Sequence, residues 1–314
     1  MENRFFNNSL ILGIDHGYGN MKTRNTVFKS GVIASDKEPV FGTDVIEYNN
    51  KFYLIGEGHK AFVPNKSMDE DFYILTLAAI AKELTIRGFQ NMDDMDVILA
   101  VGLPITWIPT QKDEFINYLR KNEHLDFRYR GKRFAVNIKD VLLFPQGFAG
   151  ISSMIDRFTG SNILADIGNG TMNTVYINNC KPRPDKYYTD KLGVNTCVLQ
   201  IRNALLAACG SVPNDELIED YLITGKAEVS ERYLAIMERE AKKYVKDVFS
   251  KLVEYEYNPE LMKLYFIGGG GSIIRHFGDY DPERVEIITD ICATAKGYEN
   301  TAYSCLMINA RRGA

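Results

Sequence analysis

Cysteine and histidine are scarce in this chain, and neither clusters. Among 314 residues there are five cysteines, Cys180, Cys197, Cys209, Cys292 and Cys305, and none forms a C-x-x-C pair. An odd, scattered set in a chain this long reads as reduced, mostly buried thiols of a cytosolic protein, not as a disulfide framework. The four histidines, His16, His59, His124 and His276, are equally scattered, which removes the ligand spacing a zinc site needs. Long apolar runs are missing too, and none approaches the roughly 20 residues of a membrane span. The opening MENRFFNNS lacks the charged–apolar–small order of a secretory signal, and the closing ARRGA carries no prenylation box. The expectation is a cytoplasmic chain without membrane contact. Neither sign of charge dominates: 37 Lys and Arg stand against 41 Asp and Glu, a formal charge of −4. A broadly basic nucleic-acid surface is therefore not expected, although a local basic patch is not excluded. G-x-S-x-G, H-E-x-x-H and Walker loops are absent. The 18 tyrosines and 17 phenylalanines are plentiful but dispersed, which favours core packing over base stacking.

What is present is an ordinary globular composition, 45% hydrophobic and 25% charged, in a length suited to roughly two domains. One feature recurs. Ile11-Leu-Gly-Ile-Asp15-His-Gly17-Tyr-Gly19 resembles Ile163-Leu-Ala-Asp166-Ile-Gly168-Asn-Gly170, about half the chain further on. Each is an apolar run ending in Asp-x-Gly-x-Gly, followed by a strand-like segment, Met21 to Arg24 or Met172 to Ile177. Each unit reads as a β-hairpin whose glycines supply the positive φ of a tight turn. Two related halves follow from the repetition.

Other elements can be placed coarsely. Short apolar runs at 96–101, 141–144 and 264–267 read as strands. Helices are expected over 110–121, 148–158, 191–209 and 230–255. In the last, Tyr233, Ile236, Met237, Tyr244, Val248 and Leu252 recur with an approximately 3.6-residue period. A closing helix over 289–309 is weakened by Gly297. The polar, strand-like stretch 34–66 looks like a small inserted subdomain.

Four segments could carry chemistry. In Asp15-His-Gly17-Tyr18-Gly19-Asn20-Met-Lys22, successive backbone N–H groups can cradle phosphate oxygens. Asn20 adds a polar donor and Lys22 a positive charge. Asp15 can hold magnesium through water, because that ion keeps much of its hydration shell. A plain hairpin turn explains the same residues. Lys22 in place of a third glycine, and a strand instead of a helix, exclude a dinucleotide fingerprint. Asp166-Ile-Gly168-Asn169-Gly170-Thr171 repeats the chemistry, with Thr174 offering a further hydroxyl, and the pair could clamp a polyphosphate from two sides. Gly268, Gly269, Gly270 and Gly271 follow a buried strand. Four such residues cost chain entropy, so something must approach their backbone closely: a nucleobase, ribose or α-phosphate, the alternative being a flexible loop. Gln146, between a strand and a helix, could orient a water but cannot act as a strong base.

In this order the segments resemble the actin superfamily, which also contains the heat-shock ATPases and sugar kinases. Residues 15–22 and 166–171 match its two phosphate loops, and 266–272 resemble its adenosine loop. Residues 101–104 and 144–150 resemble the segments around its first interdomain connection, and 293–298 its second. The D-x-G-x-x-N-x-K form of the first loop, Gly102-Leu-Pro104 and Pro145-Gln-Gly147 are similar to the bacterial and archaeal actin-like proteins of the ParM/StbA type. So is a length with no room for an additional substrate domain.

The resemblance implies an α/β, two-lobed actin-like ATPase fold, with related mixed sheets flanked by helices and small inserted subdomains. Lobe I would comprise 1–157 and 290–314, with a small insert about 34–68. Lobe II would comprise 158–289, with a helical insert about 200–257. ATP or ADP with Mg²⁺ would lie in the cleft between them. Gly17, Tyr18, Gly19 and Asn20, with Gly168, Asn169, Gly170 and Thr171, would grip the β- and γ-phosphates, and Lys22 would offset their charge. Asp15 and Asp166 would hold the metal through water, Gln146 with Asp166 would orient the attacking water, and Gly268 to Gly271 would receive adenosine. The implied activity is ATP-driven filament formation, segregating plasmid DNA through a DNA-binding adaptor without direct nucleic-acid contact. Proteins of this type often carry glutamate where Gln146 stands, which shifts weight from base catalysis to water positioning. ATP is favoured over GTP only through the resemblance. A small-molecule kinase of the same superfold and a non-catalytic nucleotide sensor are the alternatives.

Overall fold

The computed structural model describes residues 3–58, 65–89 and 94–312; His59 and residues 59–64 of the expected insert lie outside the described residues. The chain divides into two units, Met1–Ser153 with Cys292–Ala314, and Met154–Ile291. Each is a mixed sheet flanked by helices.

The first unit is built on a ten-stranded sheet. At its centre Ser9–His16, Met95–Leu103 and Lys132–Pro145 run parallel. Every residue of Ser9–His16 is buried, as expected of a parallel strand covered on both faces. Helix Glu70–Ile86 packs with the strand's Leu10, Leu12 and Ile14 in the main core of this unit. Asp69 caps this helix, its side chain accepting from Asp71 N–H. The sequence reading places no helix here. Twelve of its 17 residues are buried, so the alternation with polar residues that marks a surface helix is missing.

The closing helix, Ala293–Arg312, packs beside the same strands in a second cluster, where Tyr298 and Ala302 meet Ile11, Ile98 and Ala100. Glycine makes this approach possible. A Cβ on Gly13 would lie 2.0 Å from the Ala295 carbonyl oxygen, and one on Gly102 would lie 2.0 Å from the Tyr298 hydroxyl. Gly297 makes the reciprocal contact, since its Cβ would fall 1.9 Å from the Ala149 carbonyl oxygen. The glycine that weakens the helix by propensity is thus required by packing.

Val32–Ser35, which begins just before the expected insert, and Val45–Tyr48 and Lys51–Ile55 within it form the far edge of the same sheet, joined through Ile46 to Tyr129 of His124–Tyr129. The run at 141–144 is the end of a strand of 14 residues, and 148–157 is a 3₁₀ helix.

The second unit has a five-stranded sheet, ordered Lys181–Asp190, Met172–Asn178, Ser161–Ile167, Lys263–Ile267, Val285–Ile287. Its helices are Val194–Cys209, Asp215–Thr224, Glu231–Glu254 and Gly271–Phe277. Gly210 and Gly225, at φ of 71° and 73°, end the first two in the left-handed conformation that favours glycine. Ile236, Met237, Tyr244, Val248 and Leu252 form the buried stripe that the period of the long helix predicts.

Candidate functional site

The first Asp-x-Gly-x-Gly segment is the turn between Ser9–His16 and Asn20–Thr23. Ser30 holds two of its carbonyls. Ser30 Oγ donates to the Gly17 carbonyl at 2.6 Å, and Ser30 N–H donates to the Gly19 carbonyl at 3.0 Å. A trans peptide directs its N–H opposite to its C=O. The N–H groups of Tyr18 and Asn20 therefore face away from Ser30, the arrangement an anion-binding loop requires. The positive φ expected of the turn glycines is not found at Gly17, Gly19, Gly168 or Gly170; Gly17 is needed for space instead, since a Cβ there would lie 2.3 Å from the Asn20 carbonyl oxygen. The Tyr18 ring turns inward and packs edge-on against Phe72, and burial raises its hydroxyl pKa strongly.

Two side chains converge on Asp15. Lys22, directly across the hairpin, places Nζ 3.4 Å from Asp15 Oδ2. Gln146 Nε2 donates to Asp15 Oδ1 at 3.2 Å. The donor end of Gln146 is thus engaged by Asp15, and its acceptor end, Oε1, is the one suited to orient a water. Gln146 is held at the strand end by its own N–H, which donates to the Leu103 carbonyl.

The second segment, in the other unit, repeats this construction with different supports. Here the start of helix Val194–Cys209 does the holding. Val194 N–H donates to the Gly168 carbonyl at 3.0 Å and Asn195 N–H to the Asn169 carbonyl at 2.9 Å. The N–H groups of Asn169 and Gly170 then face away from the helix. Gly193 permits the contact, as its Cβ would lie 2.2 Å from the Asn169 carbonyl oxygen. Gly168 N–H closes the turn onto the Thr171 carbonyl. Asp166 pairs across the hairpin with Asn173, whose Oδ1 accepts from Thr189 Oγ1. Thr174, the extra hydroxyl in the sequence reading, is wholly buried in the sheet.

The glycine run adjoins this second loop. Gly268 has φ of +88°, and its Cβ would meet Asp166 Oδ1 at 2.6 Å. Gly270 donates to the Ile167 carbonyl, and its Cβ would meet Ile167 Cγ2 at 2.1 Å. The close neighbour at these two positions is the loop itself. Gly269 has open space around it, and Gly271 opens the seven-residue helix Gly271–Phe277.

The structure thus brings Asp15, Lys22 and Gln146 together in one unit, and Asp166 and Gly268 in the other. Sequence reasoning missed Ser30, Gly193 and Lys66. It also left His16 without a role. His16 is fully buried and bonded to Thr76, and burial with the Lys66 charge pushes its pKa down to about 3, so it is neutral.

Comparison with known proteins bears on the fold. Residues 13–148 match the family of actin-like proteins, N-terminal domain. A ParM from Clostridium botulinum, solved as a 15-stranded filament, superposes with a TM-score of 0.75 at 19% identity, covering 95% of this chain and 99% of that one. An archaeal actin homologue in complex with ADP superposes at 0.72 and 18% identity, covering 94% and 99%. The fold is actin-like. Bacillus thuringiensis ParM with ATP is similar over 96% of this chain and 99% of its own, at a TM-score of 0.68 and 13% identity. No curated protein sequence matches. The resemblance drawn from the ordered motifs holds over nearly the full length. Among the described residues, no three His, Cys, Asp or Glu side chains gather into a metal cluster, and no helix is long and apolar enough to cross a membrane.

Proposed function

We propose that this actin-like protein binds ATP, hydrolyses it and forms filaments whose stability depends on the nucleotide. One observation carries the reading. Each unit presents an Asp-x-Gly-x-Gly turn in which two carbonyls are fixed by hydrogen bonds from outside the turn, so that the N–H groups of the same peptides point away from those supports in both. A plain hairpin turn has no need of such support. Each loop serves nucleotide phosphates, with Lys22 offsetting charge and Gly268 to Gly271 serving the adenosine end.

Magnesium fits the donor set only as a hydrated ion. With no side-chain cluster among the described residues to encage it, the ion would be held through water by Asp15 and Asp166 and would neutralise charge developing in phosphoryl transfer. The engagement of Asp15 by Lys22 and Gln146 suits a water-mediated role better than direct ligation. Gln146, with Asp166, orients the attacking water. Proton abstraction by Gln146 itself is excluded by its chemistry.

The ATP-bound form of the relative from Bacillus thuringiensis and the filament from Clostridium botulinum support nucleotide binding and self-association in this chain. Nucleotide shifts the polymer equilibrium only by its differential affinity for the polymerising and non-polymerising forms. Plasmid segregation in the cytoplasm through a DNA-binding adaptor completes the reading. The test is sedimentation and electron microscopy of the purified protein with Mg²⁺ and either ATP or ADP. Filaments that pellet far more with ATP are expected. Equal pelleting with both nucleotides, or none with either, overturns the polymer switch.

A further inference from the structure

Lys66 is a fully buried lysine, set 50 residues beyond the first loop in sequence and yet anchored at its base. Its ammonium donates to the main-chain carbonyl of His16, immediately before Gly17. The same ammonium lies 5.3 Å from the centre of the Tyr18 ring and 5.7 Å from that of Phe72. One cation therefore holds both flanks of Gly17, by a hydrogen bond on one side and a ring face on the other.

The platform that projects Lys66 is itself fixed. Asn65 Oδ1 accepts from Ser67 N–H. Glu114, on helix Ile108–Leu119, accepts from Asn65 Nδ2 at 2.9 Å and from Ser67 Oγ at 2.6 Å. The Tyr118 hydroxyl of the same helix donates to the Asp69 carbonyl.

Taking an ammonium out of water costs several kcal/mol unless other charges offset it. Burial lowers the Lys66 pKa to about 8; Asp15 works against that fall and Lys22 adds to it. His16 is neutral. Asp15, the carboxylate that offsets the Lys66 charge, is already shared with Lys22. An anion on the outer side of the loop would add to that offset.

We propose that Lys66 is a positioning residue for the phosphate end of the bound nucleotide. It holds the first loop in the conformation that turns the Tyr18 and Asn20 N–H groups outward, and its charge favours a polyphosphate there. This rests on the nucleotide-binding reading above. Lys66 acts through the loop and not on the nucleoside, so its contribution grows with the number of phosphates.

The test is calorimetric titration of the full chain and its Lys66→Met variant with AMP and with ATP. The variant is expected to lose roughly tenfold or more in ATP affinity and much less in AMP affinity, the loss of about one charge-assisted interaction. Equal losses for the two ligands mark a general structural role and overturn the proposal, as does unchanged ATP affinity. Tyr18→Leu keeps the lysine and removes one of its two supports. It is expected to show the same bias at smaller size, and should Lys66→Met not fold, absence of bias in Tyr18→Leu overturns the proposal. A wild-type chain that binds neither ligand overturns the nucleotide reading itself, which separates the two failures.

Discussion

Asp15 and Lys22 face each other across the first hairpin as an ion pair, Nζ 3.4 Å from Oδ2. At the equivalent register of the second hairpin, Asp166 faces the neutral amide of Asn173. The repeat is therefore not symmetric in charge. The first carboxylate is partly neutralised by its own hairpin, whereas the cross-strand partner of the second brings no cation. In the proposed reading Asp166 acts in turnover, while Asp15 also organises Lys22 and Gln146.

Asp166→Ala is accordingly expected to slow phosphate release from ATP by roughly a hundredfold or more, the scale of losing a group that acts in the transition state. The fold should be retained, because the main-chain pairing of Asp166 with Asn173 and Ile267 does not depend on its side chain. Phosphate release and thermal unfolding measured on the same preparation check both parts. Unchanged turnover would refute the role of Asp166.

Ser30→Ala removes the 2.6 Å hydrogen bond to the Gly17 carbonyl while leaving the main-chain bond to Gly19. A typical intramolecular hydrogen bond contributes about 1 kcal/mol, so stability should fall by about that much. Nucleotide affinity should fall several-fold, because the loop loses one of its two rear supports. An affinity equal to wild type would show that the loop does not depend on Ser30.

Gly297→Ala sets helix propensity against packing. Propensity favours alanine by about 1 kcal/mol. The added Cβ would lie 1.9 Å from the Ala149 carbonyl oxygen, far inside contact distance, and main chain cannot yield cheaply. Overpacking typically costs about 1–3 kcal/mol and more against backbone, so net destabilisation is expected. A urea midpoint at or above wild type would contradict the close approach of the closing helix.

Acid stability has an identifiable source in the buried Glu83. Burial pushes its pKa up, but the Arg87 charge and hydrogen bonds from Thr23 and Asn25 outweigh this and hold it below the usual carboxylate value. Arg87 also pairs with Glu299, and Arg24 joins the same network. A depressed carboxylate stabilises the fold above its unfolded pKa, and that stability is lost as pH falls through the folded value. Unfolding midpoints should therefore drop as pH falls below about 4.5. Glu83→Gln should be less stable at pH 7, by up to about 3 kcal/mol, and should show a shallower fall in acid. Parallel pH profiles for the two proteins would locate the sensitivity elsewhere.

The two hairpins, the glycine run and the strand before Gln146 were legible in the sequence because their signals are local. Turn chemistry, apolar runs and helix periods need no knowledge of distant neighbours. Helix Glu70–Ile86 was not legible, because its nearly uniform burial erases the period. Ser30 and Lys66 are an ordinary serine and lysine until the fold places one behind the Gly17 carbonyl and the other beneath His16. The glycine run shows the limit differently. Its composition correctly signalled a close approach, but at Gly268 and Gly270 the neighbour is Asp166 and Ile167 of the chain itself. Composition can report crowding without naming the crowding group.

The closing helix bears on how the protein is made. It covers Gly13 of an early strand, and the whole of the second unit is synthesised between the two. The first unit consequently emerges from the ribosome with Ile11, Ile98 and Ala100 uncovered, and it stays so while some 140 further residues are translated. The second unit, continuous in sequence, can collapse without waiting. Vectorial folding is therefore expected to run in reverse of synthesis order, with a nascent-chain interval in which a holdase chaperone would find an apolar sheet face to cover.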